Sequence, residues 1–358
     1  MTYTLEEINL ITLSSFEELT YKNRVNLLCD LSVSEPRFAE NEKNLIKSLG
    51  EGVYNKVKGK FYSRDYRDKL LQKLESRRIK CITYFSPLYP EQLKQIPCPP
   101  LTLFCRGDVS LLKDRLFAAV GSRRTPPDVL KECEKISFEI SKNFTLVTGV
   151  ADGADSSVLK GALKNGAAIS VLAYGFNHVY PSINKNLLNL VEERGLVITE
   201  YTPQIKPLPY NFPARNRIIA GLAEGVLAVS AGEKSGAIIT ARCAFDYGRQ
   251  VFALPYSLGV PHGVGCNLLI REGATLVRGA EDILTEFGLS AERGQKTEPD
   301  LTREELTVLN IIKNGETLTA AIAEKAGVPV FRLIPVLTVL EMKGLISRLG
   351  GNRYCHNL

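Results

Sequence analysis

Apolar residues are spaced in two styles along this chain. Over the first 75 or so residues they recur at helical intervals. Thr4-Leu5-Glu6-Glu7 makes a capping-box pattern, and Ile8, Leu10, Ile11 and Leu13 follow as one apolar face. Phe16 to Leu31 and Asn44 to Leu49 continue as short helices, and Asp65 to Arg77 reads as a charged helix. A small helical module is expected over residues 1–78.

From about residue 80 the texture changes. Lys80 to Tyr84 predicts a strand. Pro87, Pro90, Pro97, Pro99 and Pro100 then punctuate a linker that ends in the apolar run Leu101 to Cys105, expected as an edge strand. Beyond it, continuous apolar runs alternate with helical stretches. Strands are expected at Leu116 to Val120, Thr145 to Thr148, Ala168 to Ala173, Gly195 to Glu200, Gly225 to Val229, Gln250 to Leu254 and Ala274 to Val277. Helices are expected at Pro127 to Asn143, up to Lys164, at Asn184 to Glu193, at Ala214 to Leu222 and at Ala237 to Tyr247. Strands apolar on both sides, each followed by a helix, predict an α/β fold. Its centre is a doubly wound, mostly parallel Rossmann-like sheet, here over residues 79–290. Such a sheet offers a ligand crevice at the carboxyl ends of its strands.

An exit helix from Ala280 and a polar linker to Asp300 lead to three more helices, Thr302 to Asn314, Thr319 to Ala326 and Pro329 to Lys343. Leu345 to Leu349 and Asn352 to His356 bracket Gly350-Gly351 as a hairpin, so residues 300–358 read as a winged helix. Arg332 and Lys343 are the only basic residues of its third helix. A groove-reading helix usually presents more donors, which favours contact with protein or with another copy.

Composition, 44% hydrophobic and 23% charged, is that of an ordinary globular chain. The net charge of +6 leans mildly towards anionic partners. Eight cysteines stand at Cys29, Cys81, Cys98, Cys105, Cys133, Cys243, Cys266 and Cys355 without a CxxC pair. They read as thiols in a reducing compartment. The first residues carry no signal-peptide pattern, and no apolar run reaches the ~18 residues of a membrane span. A cytoplasmic protein is expected.

The candidate chemistry gathers between Phe212 and Ala241. Phe212-Pro213 precedes Arg215, Asn216 and Arg217, and Lys234-Ser235-Gly236 opens a later helix that carries Thr240. Guanidiniums, an amide, an ammonium and an aromatic ring at the ends of regular elements suit a polyanion carrying bases. Two further turns match. Gly121-Ser122-Arg123-Arg124 follows a strand directly, combining a tight turn, backbone N–H groups, a hydroxyl and fixed charge. The same residues also fit a plain turn with two solvated arginines. Gly149 to Gly153 is a second glycine turn. It is neither a Walker A loop nor a dinucleotide fingerprint, and Asp155 beyond it also fits a helix cap. Phe212 follows Pro207, Pro209 and Tyr210 and is expected in a loop, where a ring can stack on a base for roughly 1–3 kcal/mol.

Catalytic alternatives are thin. The three histidines lack paired nucleophiles, although His178 follows a strand and sits near the crevice. No HxH or HExxH spacing points to a metal. Asp155, Glu200 and Asp246 have cap or ion-pair roles as good as any acid–base one. No catalytic residue, metal or cofactor is expected.

The motifs GSRRT at 121–125, TGVADGADSSVLKGAL at 148–163, YP at 180–181, FPARNRIIAGL at 212–222, KSGAIITA at 234–241, GRQVFALP at 248–255 and GCNLLIREGA at 265–274 resemble the bacterial DNA-processing family DprA/Smf. The likeness is strong over about 80–290, and a helical (SAM-like) front module and a winged-helix tail agree with that layout. It implies a binder and not an enzyme. Such a protein protects incoming single-stranded DNA, loads the RecA recombinase during natural transformation, and dimerises through the Rossmann-like domain. By resemblance Arg123 holds a phosphate, Arg215, Asn216, Arg217 and Lys234 line the same groove, and Phe212 packs near a base. The DNA-binding set is therefore Gly121, Ser122, Arg123, Arg124, Gly149, Phe212, Arg215, Asn216, Arg217, Lys234, Ser235, Gly236 and Thr240. The chain departs from the family pattern at Asp152, where a basic residue is common, and at Leu159, Ser230 and Tyr256. A phosphoribohydrolase-type enzyme on a similar fold is the alternative, but its PGGxGT signature is absent. A nucleotide-sensing module is a third reading. Oligo-dT affinity with steep salt dependence separates the first from the others.

Overall fold

The computed structural model describes residues 3–28, 36–289, 301–343, 345–349 and 352–356. Cys29, the end of the expected Phe16–Leu31 helix, the linker to Asp300 and the glycine pair of the hairpin lie outside them. The chain forms two compact units, Met1–Ala291 and Glu292–Leu358.

In the first unit, five helices precede the sheet: α1 (Leu5–Ser14), α2 (Tyr21–Leu27), α3 (Glu42–Leu49), α4 (Glu51–Tyr62) and α5 (Arg64–Glu75). The Thr4 hydroxyl and the Glu7 carboxylate close the capping box at α1. These helices share a core with Leu101, Tyr84 and Phe85, so the module is cemented to the sheet domain by apolar packing.

The sheet contains β1 (Lys80–Thr83), β2 (Thr102–Gly107), β3 (Leu116–Gly121), β4 (Thr145–Thr148), β5 (Ala168–Val171), β6 (Leu196–Thr199), β7 (Gly225–Ser230), β8 (Gln250–Ala253) and β9 (Thr275–Leu276). Between them run α6 (Glu91–Lys94, between β1 and β2), α7 (Pro127–Ile140), α8 (Ala154–Asn165), α9 (Lys185–Arg194), α10 (Asn211–Leu222), α11 (Gly236–Asp246) and α12 (Val264–Arg271). α13 (Ala280–Glu286) follows the last strand. Strand order is β1-β2-β6-β5-β4-β3-β7-β8-β9. All neighbours from β6 to β9 pair in parallel. β2 pairs antiparallel with both β1 and β6, so it lies inside the sheet and β1 takes the edge expected of it. A mainly apolar run, Leu101 to Cys105 with only Thr102 polar, belongs in an interior strand covered on both faces.

Alternate residues of β3 explain the two layers. Ala118 and Val120 face a core shared with α6, α10, α11 and α12. Phe117 and Ala119 face the opposite core, shared with α7, α8, α9 and α13. The order in which successive strands are laid down reverses between the parallel neighbours β3 and β7, where a parallel α/β sheet opens its crevice.

The second unit holds α14 (Arg303–Lys313), α15 (Thr319–Ala326), α16 (Val330–Met342) and the antiparallel pair β10 (Ile346–Leu349) and β11 (Arg353–His356). Leu333, Leu337 and Leu340 of α16 turn inward, while Phe331, Ile334 and Met342 are exposed. No helix among the described residues is long and apolar enough to cross a membrane.

Candidate nucleic-acid interface

At the carboxyl ends of β3 and β7 the chain leaves a cleft of about 400 Å³. Gly121, Ser122, Arg123, Arg124, Phe212, Arg215, Asn216, Ser235, Gly236 and Thr240 line it, together with Ala151 and Asp155. Three loops expected to bind thus meet at one rim. Gly149, Arg217 and Lys234 do not line it.

The Ser122 turn is fixed by the strand beside it. Its N–H donates to the carbonyl and the hydroxyl of Ser230, each at 3.0 Å, and its own hydroxyl accepts from the Arg124 N–H at 3.1 Å. Thr125 bonds to the Ser122 carbonyl and the Ser230 hydroxyl. A serine at 230 therefore serves the turn directly. Behind it Gly153, at φ +82°, lets the second glycine turn pass beneath residues 122 and 123; a Cβ there would lie 2.6 Å from the Ser122 carbonyl oxygen. Arg123 and Arg124 are exposed as a result.

Arg123 lies 5.3 Å from the centre of the Phe212 ring and 5.9 Å from that of Tyr180. The two rings meet edge to face at 5.6 Å. Tyr180 is held by its neighbour: its N–H donates to the Tyr174 hydroxyl, which donates back to its carbonyl. Phe212 is not in a loop. It is the second residue of α10 and half-buried, because α10 begins at Asn211, ahead of Pro213, and a proline is tolerated in a first turn. The ring still reaches the cleft, since its helix start faces it. An exposed guanidinium over an aromatic pair is worth about 0.5–1 kcal/mol by itself and leaves donors free.

Arg215 behaves otherwise. It is 5% exposed, donates Nη1–H to the Val171 carbonyl and Nε–H to the Asn216 side chain at 3.2 Å. Burial pulls its pKa down, and the nearby Asp155 opposes that; burial raises Asp155, and Arg215 opposes that. Gly149 makes room for both: a Cβ there would lie 2.4 Å from Asp155 and 2.7 Å from Arg215. Arg215 is thus a charged floor, committed to the fold. Asn216 donates to the Gly236 carbonyl at 3.2 Å and ties α10 to α11. Ser235 caps α11, accepting from Ala237 N–H at 3.3 Å, and the Thr240 hydroxyl bonds back to the Gly236 carbonyl at 3.3 Å. The α11 amino end, with its partial positive charge, faces the cleft.

Arg217 turns away. Two residues on along a helix is about 200° of rotation, which carries it to an ion pair with Glu200, the two side chains 17% and 18% exposed. Burial disfavours its charge, but Glu200 and Tyr201 more than compensate, and its pKa lies above the ordinary value. Lys234 and Asp152 are exposed beyond the cleft. Leu159 is fully buried in the α8 core. His178 bonds to the Gln204 carbonyl at 3.0 Å. Among the described residues no group of three or more His, Cys, Asp and Glu is placed to hold a metal. Sequence reasoning missed Tyr180 as a site residue; a tyrosine-proline pair after an apolar strand was the available signal.

A doubly wound, mostly parallel sheet with an exposed arginine over an edge-to-face ring pair at its switch point defines an α/β protein of the Rossmann-like class, with its candidate ligand cleft at the strands' carboxyl ends. Its chain belongs to the DNA recombination-mediator protein A family, whose model matches residues 80–288; the DprA winged helix domain matches 292–352. It is 37% identical over 291 residues to the Escherichia coli protein Smf, covering 76% of this chain and 77% of that one. The solved Streptococcus pneumoniae DNA processing protein A is 32% identical with TM-score 0.62, over 80% of this chain and 99% of that one. The Helicobacter pylori DNA processing protein A, whose structure concerns its single-stranded DNA binding mode, is 26% identical with TM-score 0.54, over 59% and 95%.

Proposed function

We propose that this protein binds single-stranded DNA in the cleft without regard to sequence, and passes the strand to the RecA recombinase during natural transformation and recombination. One observation carries the DNA reading: Arg123 stands exposed over the Phe212–Tyr180 ring pair at the mouth of the cleft. Phosphate meets the Arg123 guanidinium, and a base meets the ring edge or face. Arg124, Ser122 and Gly121 complete that turn, Lys234 adds long-range charge, and Ser235, Gly236 and Thr240 present the α11 end. Gly149, Arg215 and Asn216 hold the floor in shape. Arg217 contributes by fixing α10.

The recombination-mediator description of the family and the single-stranded DNA binding mode of the Helicobacter pylori relative support this assignment. Delivery to RecA and a homodimer through the Rossmann-like domain belong to the same proposal, and the family resemblance supports them. The protein acts as a binder, not an enzyme, and works in the cytoplasm, where free thiols such as buried Cys81 and Cys105 persist. The apolar outer face of α16 favours contact with protein over groove reading.

Fluorescence anisotropy with labelled oligo-dT tests the assignment. Submicromolar binding that weakens steeply with salt, and that mononucleotides fail to displace, is expected. Tight mononucleotide binding with none to oligo-dT would replace it with a nucleotide-sensing role.

A further inference from the structure

Positive charge is unevenly spread in this chain. Residues 51–80 contain ten lysines and arginines against four carboxylates, an excess of six. The net charge of the whole chain is also +6, so everything outside that stretch balances to zero. Tyr54, Val57, Phe61 and Leu74 of α4 and α5 turn inward, which leaves the cations on the outside.

The cations on and just after α5 have direction. Lys69 and Lys73 stand four residues apart on α5, about 6 Å along the helix axis, and Arg77 follows just past the helix end. Lys69 and Lys73 stand on the rim of a groove of about 290 Å³ whose lining includes Tyr66, Phe104 and Pro203. Lys60 lies 5.4 Å from the centre of the Tyr66 ring. Arg77 donates to the Asn177 side chain, three residues before Tyr180 of the cleft. The far wall of the groove, residues 202–204, belongs to the loop that runs into α10 and Phe212. The basic flank and the cleft mouth are therefore joined by two short segments of chain.

Carboxylates do little to occupy this flank. Lys69 pairs with Asp65 at 2.8 Å, but the two side chains are 72% and 74% exposed, and such pairs are worth little. Lys73 and Arg78 have no carboxylate within ion-pair distance among the described residues. Long flexible ammonium groups over a shallow groove suit a phosphate chain that is recognised by charge alone.

We propose that the flank of α5 is a second nucleic-acid contact site. A strand held in the cleft crosses Tyr180 and continues along α5, with Lys69, Lys73 and Arg77 meeting successive phosphates. This deepens, and rests on, the cleft reading above. The helical module then lengthens the site and adds affinity for long strands only.

The test is anisotropy with oligo-dT of about 6 and about 30 nucleotides, one at the low end of the roughly 4–16 nucleotides a single binding groove covers and one well above it. The Lys69→Ala/Lys73→Ala protein is expected to bind the short strand like the wild type. It should bind the long one about tenfold more weakly, with a log–log salt slope shallower by about 1.4. Lys69→Arg/Lys73→Arg should restore both, and equal thermal unfolding midpoints confirm folding. Unchanged long-strand affinity and slope, or equal losses at both lengths, would overturn the flank. Arg123→Ala separates the two ideas. Loss at both lengths supports the cleft, whereas normal binding by Arg123→Ala with loss in the lysine variant would leave the flank standing alone and remove the cleft.

Discussion

The Arg123 guanidinium sits 5.3 Å above the Phe212 ring while Arg215, three residues beyond Phe212 on the same helix, is sealed into the floor of the cleft. Two arginines of one site thus divide the work. One is exposed and available to a ligand, and the other shapes the surface.

Arg123→Ala is expected to weaken oligo-dT binding for all sequences, to make the salt slope shallower by about 0.7, and to leave stability within about 0.5 kcal/mol. Anisotropy at three salt concentrations and urea unfolding check the two halves. Arg123→Lys should recover part of the affinity, because charge returns without the planar stacking of the guanidinium.

Arg217→Glu should act on the fold before it acts on DNA. The substitution sets two carboxylates face to face at residues 200 and 217. Breaking a fully buried pair costs about 3–5 kcal/mol; with side chains 17% and 18% exposed, about 2–3 kcal/mol is expected here. The swap Glu200→Arg/Arg217→Glu should recover much of the loss in chemical denaturation. A stable Arg217→Glu protein that no longer binds DNA would place Arg217 in the ligand site instead.

Gly149→Ala is expected to destabilise the protein by about 1–3 kcal/mol, because the methyl group would press on both Asp155 and Arg215. Urea midpoints measure it. Binding per folded molecule should also fall, since Arg215 must shift.

Asp155 gives a pH signature. Burial raises its folded-state pKa above the ordinary carboxylate value, so the native state holds a proton that the unfolded chain has released in the window between the two values. The group's contribution opposes folding above its folded pKa and that penalty fades as pH falls through it. Asp155→Asn removes the penalty at neutral pH, so its stability relative to wild type should decline on acidification. A constant difference across pH would contradict this.

Much of the sheet was legible because its strands are apolar on both faces and short glycine turns follow them. Thr145 to Thr148 falls where expected to the residue. Helix α4 was not singled out: Gly50, Gly52 and Gly59 weaken its helical signal, and Tyr54, Val57 and Phe61 mark its buried face. The cleft residues were legible as motifs, but which arginine faces it was not. That depends on helical rotation: Arg215 and Arg217 cannot share a side, and neither Val171 nor Glu200 is near them in sequence. Likewise Ser230 is in sequence only a departure from the family pattern, and the Ser122 turn shows what it bonds.

The most direct measurement is photo-crosslinking of an oligonucleotide carrying 5-iodouracil, followed by mass mapping of the modified peptides. Adducts on Phe212 or Tyr180, lost in the Arg123→Ala protein, are predicted. Adducts confined to the Glu292–Leu358 unit, with the cleft peptides unmodified, would contradict a strand held over those rings.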